Sequence, residues 1–313
     1  MRLIDEAEVR ARLTYDVAIP IVRKAMIAFS AGETRQLLRS IVPLAEGRLF
    51  GIMPGALGER AVFGAKLISV YPDNFARGRP SHQGVVALFD YETGAPVCVA
   101  HAGAITAIRT AAASAVATDA LARPEASRLA LLGYGEQAET HVRAISQVRR
   151  LSAIAVWGRS AEGAAKFAAR IGPEVGLPVT VAATAGAAVA EADIVCTLTP
   201  SREPILDGSA VRPGTHVNLV GAGVAAQLEA DAILVARSRF IADSREGVLA
   251  QGGEFLRAKA AGIVGDDHVA GEIGQVLAGT LPGRQSAEQV TVYKSLGHVV
   301  QDLAAAEALF AAG

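Results

Sequence analysis

The sequence predicts an α/β protein with two domains. One is a Rossmann-type domain on a parallel sheet, and the other is an α+β N-terminal domain with a mainly antiparallel sheet, to which a C-terminal helix returns. The chain has 313 residues, which suits about two domains of ordinary size. Short β-type runs dominate residues 37–100, whereas strands and helices alternate beyond residue 125, which is typical of βαβ units. A glycine-rich strand-to-helix turn opens this alternating part.

The N-terminal domain is predicted to contain a helix followed by strands. Thr14 is a candidate N-cap for an amphipathic helix that ends near Gly32. The strand candidates are Leu37–Pro43, Arg48–Met53, Ala61–Tyr71, Gly84–Asp90 and Ala95–Ala100. Because residues 91–94 suit a hairpin turn between the last two, we expect mainly antiparallel pairing.

The remainder of the chain is predicted to alternate strand and helix. Thr106 would cap an Ala-rich helix that runs from Ala107 to about Leu121. The strand candidates after it are Arg128–Leu132, Ala153–Trp157, Val179–Ala182, Asp193–Leu198, His216–Val220 and Arg239–Ala242. Apolar residues at helical spacing predict a last helix from Ser295, its cap, to Phe310. We expect residues 1–115 with 290–313 to form the first domain, and residues 116–289 the second.

Composition narrows the possible functions. Apolar residues make up 51% of the chain and charged residues 19%, which indicates a folded protein and excludes a disordered polyelectrolyte. Lys plus Arg number 30 and Asp plus Glu 31, so no net field favours nucleic acid or an anionic membrane as partner. Cys98 and Cys196 lie in apolar runs, which favours a reducing, cytoplasmic location. No targeting segment, membrane span or Cys/His cluster at zinc spacing is expected.

The glycine-rich turn indicates a dinucleotide site. An apolar strand runs into Gly133-Tyr134-Gly135-Glu136-Gln137-Ala138 and then into a helix. Gly133 permits the tight turn, Gly135 leaves room for a pyrophosphate, and Ala138 lets helix and strand pack closely. The helix N-terminus would meet the phosphates with free N–H groups, and we assign Gln137 there to the same site. The alternative is a tight turn without a ligand.

The end of the next strand favours NADP(H). A carboxylate is expected about 20 residues after the turn if the adenosine ribose has a free 2′-hydroxyl. The chain has Arg159 and Ser160 there instead, and both can bond a 2′-phosphate. NAD(H) remains possible, because Arg159 could simply be a solvated loop residue.

Three cations in the N-terminal part suggest an anion pocket. Lys66 shares a strand face with Ile68, and Arg39 shares one with Ile41, which are unusual positions for charged groups. Arg109 is placed in the first turn of its helix, where a cation is unfavourable unless an anion is also present. The alternative is that each cation extends along an apolar surface towards water.

The chain resembles the ornithine cyclodeaminase/μ-crystallin family over nearly its whole length. The resemblance is carried by Leu38-Arg39-Ser40, Ile52-Met53-Pro54, Gly64-Ala65-Lys66, Leu88-Phe89-Asp90, residues 105–112, Gly133 to Ala138, Lys294-Ser295-Leu296-Gly297 and Gln301-Asp302-Leu303. It implies a nicotinamide-binding Rossmann domain and an N-terminal domain for substrate binding and homodimer formation. It also implies that Arg39, Lys66 and Arg109 hold a substrate carboxylate.

One departure from the family pattern bears on the reaction. The family stretch Gly-Ala-Asp-x-Pro-Gly-Lys-x-Glu-Leu corresponds here to residues 221–230, and the position of its Asp is Gly223. That Asp handles the substrate amine in cyclodeaminases, and glycine has no side chain for this work. No catalytic residue is therefore assigned, and His82 and His101 are candidate proton donors that could equally be structural.

The resemblance implies an NAD(P)H-dependent reductase of small α-imino acids, either cyclic ketimines or imines of 2-oxo acids. The reverse reaction would be amino-acid oxidation. One alternative is an ornithine cyclodeaminase, which forms proline and ammonia and uses NAD catalytically. The other is a protein of μ-crystallin type that binds NADPH and a small ligand without turnover.

Overall fold

The computed structural model describes residues 1–312, of which 75 and 76 are described by their backbone alone, and the chain divides into two compact units. Unit 1 comprises Met1–Thr110 and His298–Gly313, and unit 2 comprises Ala111–Gly297. The sequence had placed the divisions after residues 115 and 289. The second boundary lies later in the chain than predicted, because Val290–Lys294 forms a strand inside the parallel sheet of unit 2.

The elements are numbered along the chain. The strands are β1 (Arg2–Ile4), β2 (Arg35–Gln36), β3 (Ser40–Pro43), β4 (Leu49–Ala56), β5 (Phe63–Val70), β6 (His82–Phe89), β7 (Pro96–His101), β8 (Arg128–Leu132), β9 (Ala153–Trp157), β10 (Val179–Val181), β11 (Ile194–Thr197), β12 (His216–Leu219), β13 (Ser238–Ala242), β14 (Val269–Glu272) and β15 (Val290–Lys294). The α-helices are α1 (Glu6–Arg12), α2 (Tyr15–Ser30), α3 (Ala102–Leu121), α4 (Glu136–Ser146), α5 (Ala161–Val175), α6 (Ala185–Val189), α7 (Ala232–Arg237), α8 (Arg245–Gln251), α9 (Gly253–Ala260), α10 (Ile273–Leu277) and α11 (Val299–Ala311). Short 3₁₀ turns lie at Ala45–Gly47, Pro72–Arg77, Gly208–Ala210 and Asp266–His268.

Unit 1 is built on one mixed sheet. Its strand order is β1-β7-β6-β5-β4-β2, with β3 also paired to β4, and the β1–β7 pair is parallel while the other pairs are antiparallel. Side chains alternate between two faces. The inner face holds Met53, Ile68 and Val86 and is buried, and α11 packs against β4, β5, β6 and α2.

The other face of this sheet, the outer face, is apolar and partly exposed. The register places on it Val42, Phe50, Ile52, Phe63, Leu67 and Val85. Phe63 and Val85 are each 36% exposed and Val42 is 47% exposed. A contiguous apolar surface of this kind is typical of an interaction site.

The predicted strand Leu37–Pro43 is confirmed only at its end, because β3 covers Ser40–Pro43 and the preceding strand β2 covers Arg35–Gln36. Gln36 pairs with Gly55 and Ser40 with Ile52, so three residues, 37–39, lie opposite two residues of β4. The extra residue breaks the pairing, as a β-bulge does. Arg39 therefore lies in this bulge and not within a strand.

Two helices begin at residues other than those predicted. Helix α3 starts at Ala102, and the Nδ1 atom of His101 accepts the N–H of Ala104 at 3.2 Å, so His101 takes the capping role predicted for Thr106. Helix α11 starts at Val299 with His298 as N-cap, and Ser295 lies outside it. Imidazole caps are less common than Ser or Thr caps, which explains both errors.

Unit 2 is built on a wholly parallel sheet with the order β10-β9-β8-β11-β12-β15-β13-β14. Its core is formed by residues such as Leu132, Val217, Phe240 and Val292, all fully buried. The order reverses direction between β8 and β11, which is the switch point where open parallel sheets bind ligands. Three strands carry no pattern that predicted them: β14, the central strand β15, and β1 of unit 1.

Candidate functional site

A cluster of buried charges lies in unit 1. The Nζ atom of Lys66, on β5, is 3.1 Å from Oδ1 of Asp302, on α11, and Nε of Arg109, on α3, donates to the same oxygen at 3.0 Å. Lys66 is 2% exposed, Arg109 4% and Asp302 0%. Nη1 of Arg109 also donates to Oε1 of Gln301 at 2.9 Å. Two cations from different elements are thus held by one carboxylate.

The electrostatics bring Arg39 into the same cluster. Burial lowers the pKa of Lys66 to about 8; Asp302 opposes the shift, while the positive charges of Arg109 and Arg39 add to it. Burial and the charge of Arg39 also lower the pKa of His298 to about 4. Lys66 and Arg109 both bond the carboxylate of Asp302. Burial raises the pKa of Asp302, but the charges of Arg109 and Lys66 outweigh burial and keep this pKa below its ordinary value. The cluster therefore has an excess of positive charge.

The structure brings the three predicted cations together, although not for all the predicted reasons. Lys66 shares the inner sheet face with Ile68, as strand alternation predicts. Arg39 is half-buried in the bulge and not on a strand. Arg109 is the eighth residue of α3, so the argument from a cation in the first helical turn is wrong. The anion pocket is supported instead by the shared pairing with Asp302.

Asp302 and Gln301 were missed as site residues. The sequence signal was present, because two adjacent polar residues interrupt the apolar residues Val299, Val300 and Leu303 of a short helix, and both polar residues are fully buried. A buried carboxylate needs charged or hydrogen-bonding partners. Its partners lie 193 and 236 residues away in the chain, which is why the sequence did not reveal them.

The two candidate histidines have different surroundings. Desolvation of its ring and the charges of Lys66 and Arg109 lower the pKa of His82 to about 4, so this residue is neutral at pH 7. His101 caps α3 through its ring nitrogen. A neutral His82 is a weak acid at pH 7 and makes a poor proton donor.

The glycine turn in unit 2 has the shape that a pyrophosphate requires. Gly133 has φ +124°, and a Cβ there would lie 2.9 Å from the carbonyl oxygen of Leu198, so only glycine fits. Gly135 is the N-cap of α4, and among the described residues no atom lies within 4 Å of where its Cβ would stand. Ala138 is fully buried between helix and strand.

Gln137 adds a polar atom to the same turn. Within residues 1–312 its side-chain Oε1 is buried and has no hydrogen-bond partner, while its backbone oxygen bonds Nδ1 of His141 at 2.6 Å. A buried oxygen without a partner costs free energy unless a ligand or water supplies one. The turn therefore fits a bound nucleotide.

Tyr134 and two glycines shape the edge next to β9. A Cβ on Gly158 or on Gly163 would lie 2.3 Å or 2.7 Å from the ring of Tyr134, so the ring packs against both glycines. Arg159 and Ser160 are exposed beside them, and Oγ of Ser160 accepts the N–H of Gly163 at 3.0 Å as the cap of α5. No role was predicted for Tyr134 from the sequence.

The loop after β12 contains Gly223, at the position of the family Asp. Its N–H donates to Oε1 of Gln227 at 3.2 Å. Without a side chain at this position, residue 223 itself cannot move a proton.

The described residues also bear on membrane-spanning helices, metal sites and reactive thiols. Across the described part of the chain, no helix has the length and apolar character to cross a membrane. No group of three or more His, Cys, Asp and Glu in residues 1–312 is arranged to hold a metal ion. Cys98 and Cys196 are buried free thiols, and burial raises the pKa of Cys196 to about 12, so this thiol is unreactive at neutral pH.

A parallel sheet in this strand order, with a glycine turn at its switch point, defines the class of dinucleotide-binding α/β proteins. The chain belongs to the ornithine cyclodeaminase/mu-crystallin family, whose sequence model matches residues 2–311. The fold class and the family resemblance predicted from the sequence are both confirmed.

Relatives with similar sequences are named as reductases. The chain is 36% identical over 296 residues to the ketimine reductase mu-crystallin of Mus musculus, covering 93% of this chain and 90% of that protein. It is 32% identical over 312 residues to a Delta(1)-pyrroline-2-carboxylate reductase of Bacillus cereus strain ZK / E33L, covering 99% and 96%.

Solved structures show the same fold. The Delta(1)-pyrroline-2-carboxylate reductase of Thermococcus litoralis, in complex with NADH and L-proline, superposes with a TM-score of 0.96 at 30% identity, covering 99% of this chain and 97% of that chain. An archaeal alanine dehydrogenase dimer with bound NAD superposes with a TM-score of 0.92 at 27% identity, covering 99% and 94%.

Proposed function

We propose that this protein is an NAD(P)H-dependent reductase of small α-imino acids, and that the reverse reaction is amino-acid oxidation. The observation that carries the proposal is the pair of buried cations Lys66 and Arg109, which share the carboxylate of Asp302 while the charge of Arg39 acts on Lys66. Its substrates are cyclic ketimines or imines of 2-oxo acids. The ketimine and pyrroline-2-carboxylate reductases among its relatives support this class of substrate.

The cluster acts by binding and orienting a carboxylate. An ammonium and a guanidinium fixed on Asp302 are already positioned before the substrate arrives, so little side-chain entropy is lost on binding. Holding the carboxylate also sets the direction of the adjacent imine carbon, and such orientation can lower a barrier by several kcal/mol. The nicotinamide, when bound, supplies the hydride.

We propose that unit 2 holds the dinucleotide and that unit 1 holds the substrate. Gly133, Gly135, Gln137 and Ala138 form the turn at the pyrophosphate, where α4 presents its N-terminus. Arg39, Lys66 and Arg109, together called the carboxylate clamp, all belong to unit 1.

The preference for NADP(H) is proposed on Arg159 and Ser160. Both are exposed at the end of β9, and residues 158–160 include no carboxylate to repel a 2′-phosphate. NAD(H) is the alternative, since a similar structure contains NADH.

A cyclodeaminase is less well supported, because that reaction requires a group that binds the α-amine and manages protons, and Gly223 offers no side chain. Imine reduction has a smaller requirement, since an imine protonated in solution needs little further acid catalysis before hydride transfer.

We also propose a homodimer formed through the outer face of the unit 1 sheet. Its partly exposed apolar side chains would be buried by a second copy of the same face, as a two-fold interface requires. A similar archaeal protein is described as a dimer. A cytoplasmic location is proposed because both cysteines are free thiols.

The function is tested with purified protein, NADPH or NADH, and a panel of α-imino acids headed by Δ1-pyrroline-2-carboxylate. Loss of reduced-nicotinamide absorbance with formation of proline is the expected result. Release of ammonia and proline from ornithine and NAD, with no net NADH, would establish a cyclodeaminase instead. Tight NADPH binding without oxidation by any imine would favour a binding protein.

A further inference from the structure

A second cluster of buried charges lies in unit 2 and shares no residue with the carboxylate clamp of unit 1. Its members are Glu229, Glu254 on α9 and Lys294 at the end of β15, which are 0%, 1% and 0% exposed. Placing three charges in a core costs several kcal/mol each unless they are paired, and apolar residues would cost less. The bonds these groups make indicate why charged residues occupy these positions.

Glu229 accepts five hydrogen bonds, one from the last residue of β11 and four from the loops that follow β11 and β12. Its Oε1 accepts the N–H of Thr199 at 2.6 Å and the hydroxyl of the same residue at 2.9 Å. Its Oε2 accepts the hydroxyl of Thr197 at 2.7 Å and the N–H groups of Gly221 and Ala222 at 2.7 and 3.2 Å. One carboxylate therefore joins the loop after β11 to the loop after β12.

Glu254 bonds the backbone of Glu229, and Lys294 bonds the loop after β12. Oε1 of Glu254 accepts the backbone N–H of Glu229 at 3.0 Å, and its Oε2 lies 2.8 Å from Nζ of Lys294. The same ammonium donates to the carbonyl oxygen of Ala222 at 2.8 Å. The N–H and the carbonyl oxygen of Ala222, the residue before Gly223, are therefore both hydrogen-bonded to buried charged groups.

The first of these loops packs against the glycine turn. Leu198 donates its N–H to the carbonyl oxygen of Leu132 at 2.8 Å, and its own carbonyl oxygen is the atom that a Cβ on Gly133 would approach to 2.9 Å. The two loops also touch, because a Cβ on Gly221 would lie 2.2 Å from the backbone of Thr199. Glu229 is therefore connected to the glycine turn by Thr199, which it bonds, and by the adjacent Leu198, which packs against Gly133.

We propose that Glu229 is a positioning residue for the dinucleotide: it fixes the loops after β11 and β12 against the glycine turn without itself touching the ligand. The inference rests on the proposed function, because it assumes a nicotinamide dinucleotide at the carboxyl edge of this sheet. No apolar side chain could replace Glu229, since five donors would lose their acceptor. An amide could accept at one oxygen only.

The test is Glu229→Gln in the full chain, with Glu246→Gln, an exposed glutamate of α8 in the same unit, as the matched control. The Kd values of NADH and NADPH are measured by fluorescence titration, together with the thermal unfolding midpoint and kcat at saturating cofactor. We expect Glu229→Gln to raise both Kd values about tenfold, since its amide nitrogen leaves buried N–H donors without an acceptor. We expect kcat at saturation to change far less and the control to match the wild type.

A purely structural role would lower the unfolding midpoint and leave the Kd of the folded protein unchanged, and that result would overturn the proposal. Should Glu229→Gln fail to fold, Thr197→Val decides, because it removes one donor to Oε2 and keeps the shape of the side chain. We expect it to weaken cofactor binding about threefold, and an unchanged Kd would overturn the proposal. A wild-type protein that binds neither NADH nor NADPH would instead overturn the proposed function, and the inference with it.

Discussion

Substituting Lys66 with Met should separate substrate binding from folding stability. The burial that lowers the pKa of Lys66 from 10.5 to about 8 means that the fold disfavours its charged form by about 3 kcal/mol. Met fills a similar volume without that cost. Asp302 is not left unpaired, because it keeps Nε of Arg109 at 3.0 Å. We therefore expect the free energy of unfolding at pH 7 to stay the same or to rise, and not to fall by the 3–5 kcal/mol typical of a broken buried pair.

Substrate binding, in contrast to stability, should become weaker in Lys66→Met. Lys66→Met removes one of the cations that bond the carboxylate, and a charge-assisted hydrogen bond contributes about 1.5–3 kcal/mol, so KM should rise about 10- to 150-fold. The assay is steady-state kinetics with Δ1-pyrroline-2-carboxylate and saturating NADPH, beside urea unfolding. Lys24→Met, an exposed residue of α2 in the same unit, is the control. An unchanged KM would refute the clamp, and a large loss of stability would refute the reasoning about burial.

The lowered pKa of Lys66 predicts how stability and kcat/KM change with pH. The ammonium of Lys66 deprotonates near pH 8 in the folded chain and near 10.5 in the unfolded chain, so the unfolded chain binds more protons between these values. Stability of the wild type should therefore rise with pH across this interval relative to Lys66→Met. The value of kcat/KM should fall above pH 8 as the charge is lost. In Lys66→Arg this fall should move to higher pH, because a guanidinium keeps its proton.

The remaining predictions concern the cofactor and the oligomer. Gly133→Ala should lower stability by about 1–3 kcal/mol and abolish measurable NAD(P)H binding, because residue 133 has φ +124° and a Cβ there would lie 2.9 Å from the carbonyl oxygen of Leu198; thermal unfolding and fluorescence titration check this. Arg159→Ala should raise the Kd of NADPH about tenfold and leave that of NADH unchanged; equal changes for both would argue against a 2′-phosphate contact. Phe63→Glu, on the outer face, should convert a dimer to monomers in light scattering at unchanged cofactor affinity, and a persistent dimer would place the interface elsewhere.

Local patterns identified most elements of unit 2 and the nucleotide turn. Strand β8 and the turn from Gly133 to Ala138 were predicted correctly, because a short apolar strand, two glycines and a helix start lie within a few residues of one another. Strand β15 was missed although it is central in the sheet. Its five residues are a short apolar run, and only pairing with β12 and β13 distinguishes such a run as a strand. The bulge at residues 37–39 was missed for the same reason, because it is defined by its partner strand.

By itself the sequence determined the fold class, the family and the position of the glycine turn after β8, since each is encoded by residue type and short spacing. It also predicted Lys66 and Arg109, with Arg39, as substrate-binding cations. The tertiary structure alone decided what those cations bond. Asp302 reaches Lys66 across 236 residues, and Glu229 joins loops that follow two different strands. The physical reason is that a buried charge is stable only with partners, and partners brought together by folding leave no local pattern in the chain.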